Sequence, residues 1–263
     1  MYESFETKLS FEYLQKIIDK IKEPTCLLGG WAVYLTVNEN YRKLMHRDYI
    51  GSRDIDLGFH VDKNWSSEEL KSSFIAKTLM SLEKELDFKP LAFRLFKQFH
   101  IDEKKELTEE EAKNIATHFL FSLYVDLIVD NIHPKFKEVI GLFALDEPLL
   151  KFAFEDKNNR IELKQFKRKL WLLKPSLLLA TKINSVANRD KEHKRIKDIC
   201  DIYALLSYSD MNMKKIKDDV LKFLSQDKIN KNINFSKEEI NKSSSILGVS
   251  EKEMEIRISS LLF

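Results

Sequence analysis

The chain has 263 residues and a net charge of +2, with 43% hydrophobic and 33% charged residues. This composition supplies a hydrophobic core for one large domain or two small ones, and it excludes a disordered or low-complexity chain. The two cysteines, Cys26 and Cys200, are far apart, which excludes a disulfide framework and a cysteine-based zinc site. The first residues lack a signal-peptide pattern and no apolar run reaches the length of a membrane span, so we expect a cytoplasmic protein without a membrane partner.

Apolar periodicity and turn residues predict the elements of the chain in order. They are an amphipathic helix over 9–22, a helix after Gly29-Gly30, a strand over 54–61, a helix over 66–86, strands over 91–101 and 119–129, a hairpin over 153–163, and helices from Pro175 onward. We therefore expect a mixed α/β (α+β) protein. Its first domain would span residues 1–150, and its second, residues 151–263, would consist of the hairpin followed by helices.

A glycine pair opens the second predicted helix. Gly29 and Gly30 follow the apolar residues 26–28 and precede an apolar run that begins at Trp31. Glycine lets a backbone approach a phosphate closely, and the free N–H groups of a helix N-terminus attract an anion. The pair therefore predicts phosphate binding, although a turn that requires a positive φ explains it equally well.

Two aspartates alternate with apolar residues in the segment Ser52-Arg53-Asp54-Ile55-Asp56-Leu57. Because strand side chains alternate between faces, Asp54 and Asp56 would project together. Neighbouring carboxylates repel each other unless a cation lies between them, and Mg²⁺ completes its octahedron with water and substrate phosphate. An exposed Asp-x-Asp on an edge strand or turn is the competing explanation. Ser52 would bond a phosphate oxygen or stabilise a turn.

A third carboxylate lies inside the apolar run 119–129, which only Ser122 and Asp126 interrupt. A buried carboxylate is costly without a partner. If this strand lies beside the strand of Asp56, Asp126 completes the metal site; otherwise it belongs to a strand end or a buried salt bridge. Asp130 shares its face but lies next to a turn, so we prefer Asp126. Two metal ions roughly 4 Å apart activate an attacking oxygen and stabilise a leaving group.

A second group of charged residues falls on the helices predicted over 175–206. Lys182 is embedded among apolar residues, where an ammonium requires an anionic partner, either a bound triphosphate or an aspartate. Arg189 follows on the same helical face, and Asp198 and Asp201 are also neighbours on one face. We favour a functional role for Lys182 and Asp198, whereas ordinary surface ion pairs explain Arg189 equally well.

Four motifs occur in order: Gly29-Gly30-Trp31-Ala32-Val33-Tyr34-Leu35, Ser52-Arg53-Asp54-Ile55-Asp56, Leu178-Leu179-Ala180-Thr181-Lys182 with Arg189, and Lys197-Asp198-Ile199-Cys200-Asp201. This succession resembles the AbiEii/MenT-type nucleotidyltransferases, the toxin half of abortive-infection toxin–antitoxin pairs in the polymerase-β-like superfamily. The resemblance spans residues 27–206. The chain departs from the family in the charged segment 38–43 and at Ile50, where the family has an arginine, so Arg47 or Arg53 would contact phosphate instead.

The resemblance implies a nucleotidyltransferase-like mixed sheet flanked by helices, with an active site between the catalytic domain and the helical half. It implies an enzyme that transfers NMP from an NTP substrate with two Mg²⁺ ions as cofactor. Metal would be bound by three aspartates: Asp54, Asp56 and Asp126. Nucleotide would be bound by glycines and polar side chains: Gly29, Gly30, Ser52, Arg53, Lys182 and Arg189. Catalysis would use Lys182 and Asp198, with Asp198 as a base.

The distribution of charge bears on the acceptor. Residues 157–197 contain 13 Lys and Arg against three acids, and such a stretch follows a polyanion or forms a solvated face. The aromatic residues Phe152, Phe166 and Trp171 lie nearby, in runs more typical of a core than of a stacking platform.

We expect an RNA acceptor, such as a tRNA 3′ end, and the resemblance adds a cognate antitoxin as a protein partner. Two alternatives stay open. One is a small-molecule nucleotidyltransferase of the antibiotic-modifying kind, which would share the metal site. The other is a non-catalytic nucleotide-binding protein.

Overall fold

The computed structural model describes residues 2–21, 25–163, 170–212 and 215–262. Its helices are α1 (Ser4–Ile18), α2 (Gly29–Met45), α3 (Ser67–Lys71), α4 (Phe74–Leu86), α5 (Glu109–Lys113), α6 (Phe136–Ile140), α7 (Leu150–Glu155), α8 (Pro175–Val186), α9 (Glu192–Tyr208), α10 (Ile216–Leu221), α11 (Gln226–Asn232), α12 (Lys237–Leu247) and α13 (Glu251–Ser259). Its strands are β1 (Cys26–Leu27), β2 (Ile55–Phe59), β3 (Lys89–Leu91), β4 (Arg94–His100), β5 (Lys105–Leu107), β6 (Leu120–Val129), β7 (Leu145–Asp146), β8 (Arg160–Leu163) and β9 (Leu170–Leu173).

The described strands form one mixed sheet in the order β3-β4-β6-β2-β1-β9-β8, with β5 paired to β4 and β7 paired to β6. Strand β2 runs parallel to β6, whereas β4 runs antiparallel to β6 and β1 antiparallel to β2. Ile55, Leu57 and Phe59 of β2 are fully buried. This burial specifies the register, because a slip by one residue would turn the apolar side chains to the opposite face. The predicted mixed α/β class is confirmed.

The chain divides into two compact units, each built from two separate segments. The sheet unit contains the described residues of Tyr2–Trp31 and Gly51–Leu172, and the helical unit contains those of Ala32–Ile50 and Leu173–Phe263. Helix α2 begins in the sheet unit and continues in the helical unit. The domain boundary predicted at residue 150 stays a prediction.

The helix predicted over 66–86 is present as two helices. Its predicted capping start is confirmed, because the Ser66 side chain and the Glu69 side chain each accept a hydrogen bond from the other residue's backbone N–H. A second serine divides the segment: the Ser73 side chain accepts from the N–H of Ala76 and opens α4. An N-cap serine accepts a hydrogen bond from a free N–H group at the start of a helix. This hydrogen bond favours the start of a new helix over continuation of the previous one.

The hairpin predicted over 153–163 is wrong in its first arm. Ala153 belongs to α7, and only the second arm, Arg160–Leu163, is a strand. The apolar run that contains Phe152 and Phe154 has no clear period, and such short runs do not distinguish a helix from a strand.

The helical unit is organised around α9, which packs against α8, α12 and α13. Residues on every side of α9 are buried, including the charged residues Lys197, Asp198 and Asp201. A helix buried all round cannot leave its charges to water, so these side chains require partners inside the unit. Helix α8 begins with Pro175 in its first turn, as predicted.

The segment Ala32–Ile50 is joined to the rest of the helical unit by side-chain hydrogen bonds. The Tyr41 hydroxyl donates to the carbonyl of Leu247 at 3.1 Å, and the Asn40 amide donates to the carbonyl of Tyr208 at 2.9 Å. None of the described helices combines the length and the apolar character that a membrane crossing requires.

Candidate functional site

Two carboxylates lie side by side on the central strands of the sheet unit. Asp56 of β2 and Asp126 of β6 are direct partners in the parallel register. Partners in register project to the same face, from strands about 4.8 Å apart. The strand of Asp126 is therefore adjacent to the strand of Asp56, which meets the condition under which Asp126 was assigned to the metal site. The flanking Ile55 and Leu57 are fully buried, as the alternation predicted.

Gly29 lies directly against the carboxylate of Asp56. A Cβ atom at position 29 would lie 1.7 Å from Oδ2 of Asp56, and the φ angle of Gly29 is +61°. Both facts require glycine, because other residues rarely adopt this φ and no side chain fits the space. The N–H of Leu28 donates to the carbonyl of Asp56 at 2.9 Å, which fixes the turn against β2.

This turn places the start of α2 beside a negatively charged group. Gly29 and Gly30 are the first two residues of the helix. The free N–H groups and the dipole of a helix N-terminus stabilise an anion, either the carboxylate of Asp56 itself or a bound phosphate. Gly29 therefore serves a positive-φ turn, and phosphate binding by the glycine pair stays a prediction.

A third side chain, Arg94, continues the row across the sheet. Arg94 of β4 is the register partner of Asp126, and its Nη2 donates to Oδ2 of Asp126 at 2.9 Å. The guanidinium carbon lies 4.7 Å from the ring centre of Phe93 and 4.4 Å from that of Tyr124. Arg94 was not among the predicted site residues, because the alternation around it predicts a strand but does not tell which strand lies next to it.

The other predicted residues of this site have local partners. The Ser52 hydroxyl donates to the carbonyl of Asp54 at 3.0 Å, as a turn residue does. Arg53 forms an ion pair with Glu6 at 3.0 Å, and its guanidinium lies 5.2 Å from the ring centre of Phe121. Roles of Ser52 and Arg53 in nucleotide binding stay predictions.

Asp54 directly precedes β2 and is half-buried. Within residues 2–21, 25–163, 170–212 and 215–262, no group of three or more His, Cys, Asp or Glu side chains is arranged to hold a metal ion. The structure thus brings two of the three predicted carboxylates, Asp56 and Asp126, into register. The three-carboxylate site stays a prediction.

The donor set still suits Mg²⁺ in one respect and opposes it in another. Mg²⁺ commonly takes one or two protein carboxylates and fills its other positions with water and substrate phosphate. Asp56 and Asp126 supply two carboxylates beside the glycine turn that starts α2. However, Arg94 already balances the charge of Asp126. A divalent ion would therefore fit this site in competition with Arg94.

Asp130, the alternative to Asp126, is held by hydrogen bonds beside the ends of two strands. One carboxylate oxygen accepts from the backbone N–H of Val61 at 2.8 Å, and the other lies 2.6 Å from Nδ1 of His60. The hydrogen bond with Asp130 raises the pKa of His60 above its ordinary value. These contacts tie the end of β2 to the end of β6, and they agree with the preference for Asp126.

The second predicted group lies in the helical unit as a buried ion cluster. The Lys182 ammonium is 2.8 Å from Oδ1 of Asp198 and 2.8 Å from Oδ2 of Asp201. Burial opposes the charge of the ammonium, but the two carboxylates outweigh this effect and raise the pKa of Lys182. Of the two partners that the sequence left open, aspartates pair with Lys182 in this structure.

Asp198 bridges two cations. Besides Lys182 it accepts from Nε of Arg189 at 2.5 Å and from the Ser185 hydroxyl at 3.3 Å. Burial would raise the pKa of Asp198, but Lys182 and Arg189 outweigh it and hold this pKa below its ordinary value. A general base works best with a pKa near the working pH. This environment favours a positioning role for Asp198, and the predicted role as a base stays untested.

Asp201 completes the cluster with two further partners. Lys197 lies one helical turn before it and donates to its Oδ1. The hydroxyl of Tyr49 donates to the same oxygen at 2.7 Å. Burial, together with the charge of Asp201, raises the pKa of Tyr49 well above its ordinary value. No sequence signal identifies Tyr49, which lies 152 positions before Asp201.

The basic stretch 157–197 is only partly described, because residues 164–169, including Phe166, lie outside the described residues. Arg160 donates to the carbonyl of Ala153 at 2.8 Å and stacks on Trp171 with 3.7 Å between guanidinium carbon and ring centre. Arg195 pairs with Glu239. Some of the basic residues thus stabilise the fold, and contact with RNA stays a prediction.

The chain matches no family model and no curated protein sequence. Among solved structures it is similar to an antigenic nucleotidyltransferase-like protein from Paracoccidioides brasiliensis. The two chains are 15% identical, the alignment covers 94% of this chain and 93% of the other, and the TM-score is 0.42. At this level the likeness assigns no residue and no activity to this chain.

Proposed function

We propose that this protein is a metal-dependent nucleotidyltransferase that moves NMP from an NTP to an acceptor and releases pyrophosphate. The observation that carries the proposal is the in-register pair Asp56 and Asp126 beside the glycine turn that starts α2. It joins two carboxylates, which suit a divalent cation, to a helix N-terminus, which suits a phosphate.

The residues of the sheet unit would bind the metal ion and the triphosphate. Asp56 and Asp126 would hold Mg²⁺, with Asp54 as the third candidate ligand. The N–H groups of Gly29 and Gly30 would receive the triphosphate. When bound, Mg²⁺ would stabilise the negative charge of the leaving pyrophosphate. The acceptor oxygen would form its bond to the α-phosphorus as the bond to pyrophosphate breaks, and the acceptor hydroxyl would release its proton to water.

For the helical unit we propose that Asp198 positions Lys182 and Arg189. The Arg189 side chain is 35% exposed, whereas the Lys182 side chain is only 7% exposed. Arg189 is therefore the member of the cluster that could reach a phosphate of nucleotide or RNA without a rearrangement of buried groups.

The proposed acceptor is RNA, such as a tRNA 3′ end. The excess of basic residues over 157–197 supports a polyanionic acceptor, because clustered positive charge attracts a phosphate backbone. The family resemblance of the sequence motifs supports the same acceptor, and it extends the proposal to the toxin of a type IV toxin–antitoxin system with a cognate antitoxin.

A second candidate is a non-catalytic nucleotide-binding protein. The observation that favours it is the ion pair of Arg94 with Asp126, which gives this carboxylate a counter-charge without metal. Such a protein would bind an NTP at the glycine turn and release no pyrophosphate.

The test is transfer of label from each of the four NTPs, radiolabelled on the α-phosphate, to total tRNA in the presence of Mg²⁺. The wild-type protein, Asp56→Asn, Asp126→Asn and the control Asp102→Asn would be compared; Asp102 is exposed on the turn between β4 and β5. We expect labelled RNA with the wild type and the control, and none with the two site variants.

The same reactions distinguish the alternatives. Label in a small-molecule extract but not in RNA would show that the protein transfers NMP to a small molecule instead of RNA. Stabilisation of the protein by an NTP without pyrophosphate release would support the non-catalytic candidate. Equal labelling by the wild type and Asp56→Asn would show that the carboxylate pair takes no part in the reaction.

A further inference from the structure

Arg94, Asp126 and Asp56 form one row across three neighbouring strands, in the register β4, β6, β2. The central residue, Asp126, therefore has a guanidinium on one side and a second carboxylate on the other. The side chains of Arg94 and Asp126 are 18% and 10% exposed, so water screens their attraction only weakly.

We propose that Arg94 is an internal counter-ion of Asp126, which competes with a divalent cation for this carboxylate and pairs with the phosphates of the nucleotide once the cation has bound. This inference rests on the proposed nucleotidyltransferase function. It adds a residue and a binding order to that function: without nucleotide the arginine weakens metal binding, and with nucleotide it strengthens substrate binding.

The competition follows from charge and distance. The Nη2 atom of Arg94 lies 2.9 Å from Oδ2 of Asp126. Mg²⁺ binds carboxylate oxygens at about 2.1 Å. A divalent ion on Asp126 would thus bring three positive charges to one carboxylate and would repel the guanidinium. Either the ion binds weakly or the arginine moves to another anion.

The surroundings of Arg94 allow that movement. One hydrogen bond, donated by Nη2, joins it to Asp126, and its buried Nε has no hydrogen-bond partner among the described residues. The rings of Phe93 and Tyr124 both lie within 5 Å of the guanidinium carbon, so the cation keeps an attractive aromatic surface while it turns. Phe93 is 37% exposed, so the guanidinium lies beside a ring that reaches the surface.

A nucleotide triphosphate is the anion that fits the released arginine. The planar guanidinium presents a fork of N–H donors that matches phosphate oxygens in a bidentate manner. The glycine turn that would receive phosphate adjoins Asp56 in the same row. A phosphate there would lie within the same site as the metal and would attract the arginine as the metal repels it.

The experiment measures metal and nucleotide binding separately. Calorimetric titration with Mn²⁺ alone would compare the wild type with Arg94→Gln, Arg94→Lys, Asp126→Asn and the control Lys89→Gln. Lys89 lies on the neighbouring strand β3 and pairs with Asp87 near the surface. Lys89→Gln removes one positive charge, as Arg94→Gln does, so it controls for the change in net charge. Each protein would then be titrated with each of the four NTPs in saturating Mg²⁺.

We expect opposite effects in the two titrations. Arg94→Gln should bind Mn²⁺ at least about fivefold more tightly and should bind its NTP at least about fivefold more weakly, the low end of coupling between linked sites. Arg94→Lys, which keeps the charge but loses the fork, should bind Mn²⁺ like the wild type. Asp126→Asn should lose Mn²⁺ binding, and Lys89→Gln should change neither affinity. Thermal melts would confirm that each variant is folded.

Unchanged or weaker Mn²⁺ binding by folded Arg94→Gln would overturn the inference, even if RNA labelling in the transfer assay shows that the proposed function is correct. Absence of Mn²⁺ binding and of label transfer in both the wild type and Arg94→Gln would instead overturn the proposed function and the inference together. A loss of both affinities in Arg94→Gln would show that Arg94 only stabilises the site.

Discussion

The contact between Gly29 and Asp56 makes a quantitative prediction for Gly29→Ala. The new methyl group would lie 1.7 Å from Oδ2 and 2.7 Å from Cγ of Asp56, distances that no pair of non-bonded atoms tolerates. Either the carboxylate or the turn must move. Since Asp56 is held in β2 by its register with β6, we expect the carboxylate to swing away from the start of α2.

The cost has two parts. Alanine at a φ of +61° loses about 1–2 kcal/mol, because its Cβ crowds the backbone in the left-handed region. Crowding in a packed site adds about 1–3 kcal/mol. The free energy of unfolding should therefore fall by about 2–5 kcal/mol in total.

Gly141 provides the matched control. Its φ is +88°, and a Cβ there would meet nothing within 4 Å, so Gly141→Ala should lose only the backbone part. Urea unfolding of both variants would isolate the contact with Asp56 as the difference between them. In an Asp56→Ala background most of the crowding part of Gly29→Ala should disappear, because only the Cβ of residue 56 remains, 3.2 Å from the new methyl group. A double-mutant cycle measures this difference.

The reasoning would be refuted if Gly29→Ala lost no more stability than Gly141→Ala. It would also be refuted if the excess loss persisted in the Asp56→Ala background, because the methyl group would then crowd something other than the carboxylate.

Three further predictions concern buried or paired titratable groups. Lys182→Met should lower the free energy of unfolding by about 3–5 kcal/mol, because it leaves two buried carboxylates without their ammonium; chemical denaturation measures this against Lys43→Met, whose ion pair is exposed. The pKa of His60 should lie above its ordinary value of about 6.5 and return toward it in Asp130→Asn, as an NMR titration would show. Since the folded pKa is raised, the stability from this pair is fully present below the unfolded pKa and is lost as pH rises through the folded one. Both cysteines are buried with pKa values raised by burial to about 12, so a thiol reagent should modify them only when the protein opens.

Each of these has a clear contrary result. Equal losses for Lys182→Met and Lys43→Met would show that the cluster is not buried in solution. An unchanged His60 pKa in Asp130→Asn would show that the two side chains are not hydrogen-bonded in solution. Rapid thiol modification of the native protein would place at least one cysteine at the surface.

The sequence could predict strands but only part of their arrangement. Alternation in 119–129 located β6, and the buried carboxylate suggested its neighbour, so the pairing with β2 was predictable. Around Arg94 the same kind of pattern failed to show a turn: Ala92, with a φ of +52°, separates β3 from β4 within a segment whose alternation predicted one strand. The alternation of apolar and polar residues shows which side chains share a face of the sheet, but it does not show where the chain reverses direction. It therefore reveals neither the tight turn nor the pairing that brings Arg94 to Asp126.

The ion cluster shows the same limit for helices. Spacing predicted that Lys182 needs an anion and that Asp198 and Asp201 share a face, but it could not choose between an aspartate and a ligand. Tyr49 joins the cluster from a distant segment, and nothing in its local sequence marks it. Contacts of this kind depend on tertiary packing, which local patterns do not encode.

The interleaved segments of the two units have a consequence for synthesis and for fragment design. During translation Ala32–Ile50 leaves the ribosome well before the helices that carry its hydrogen-bond partners, Tyr208 and Leu247. The nascent helical unit therefore cannot form all of these contacts until Leu247 has emerged. For the same reason no single cut separates the chain into two complete halves, and an isolated helical unit would need a permuted chain in which Ala32–Ile50 is joined to Leu173–Phe263 by a new linker.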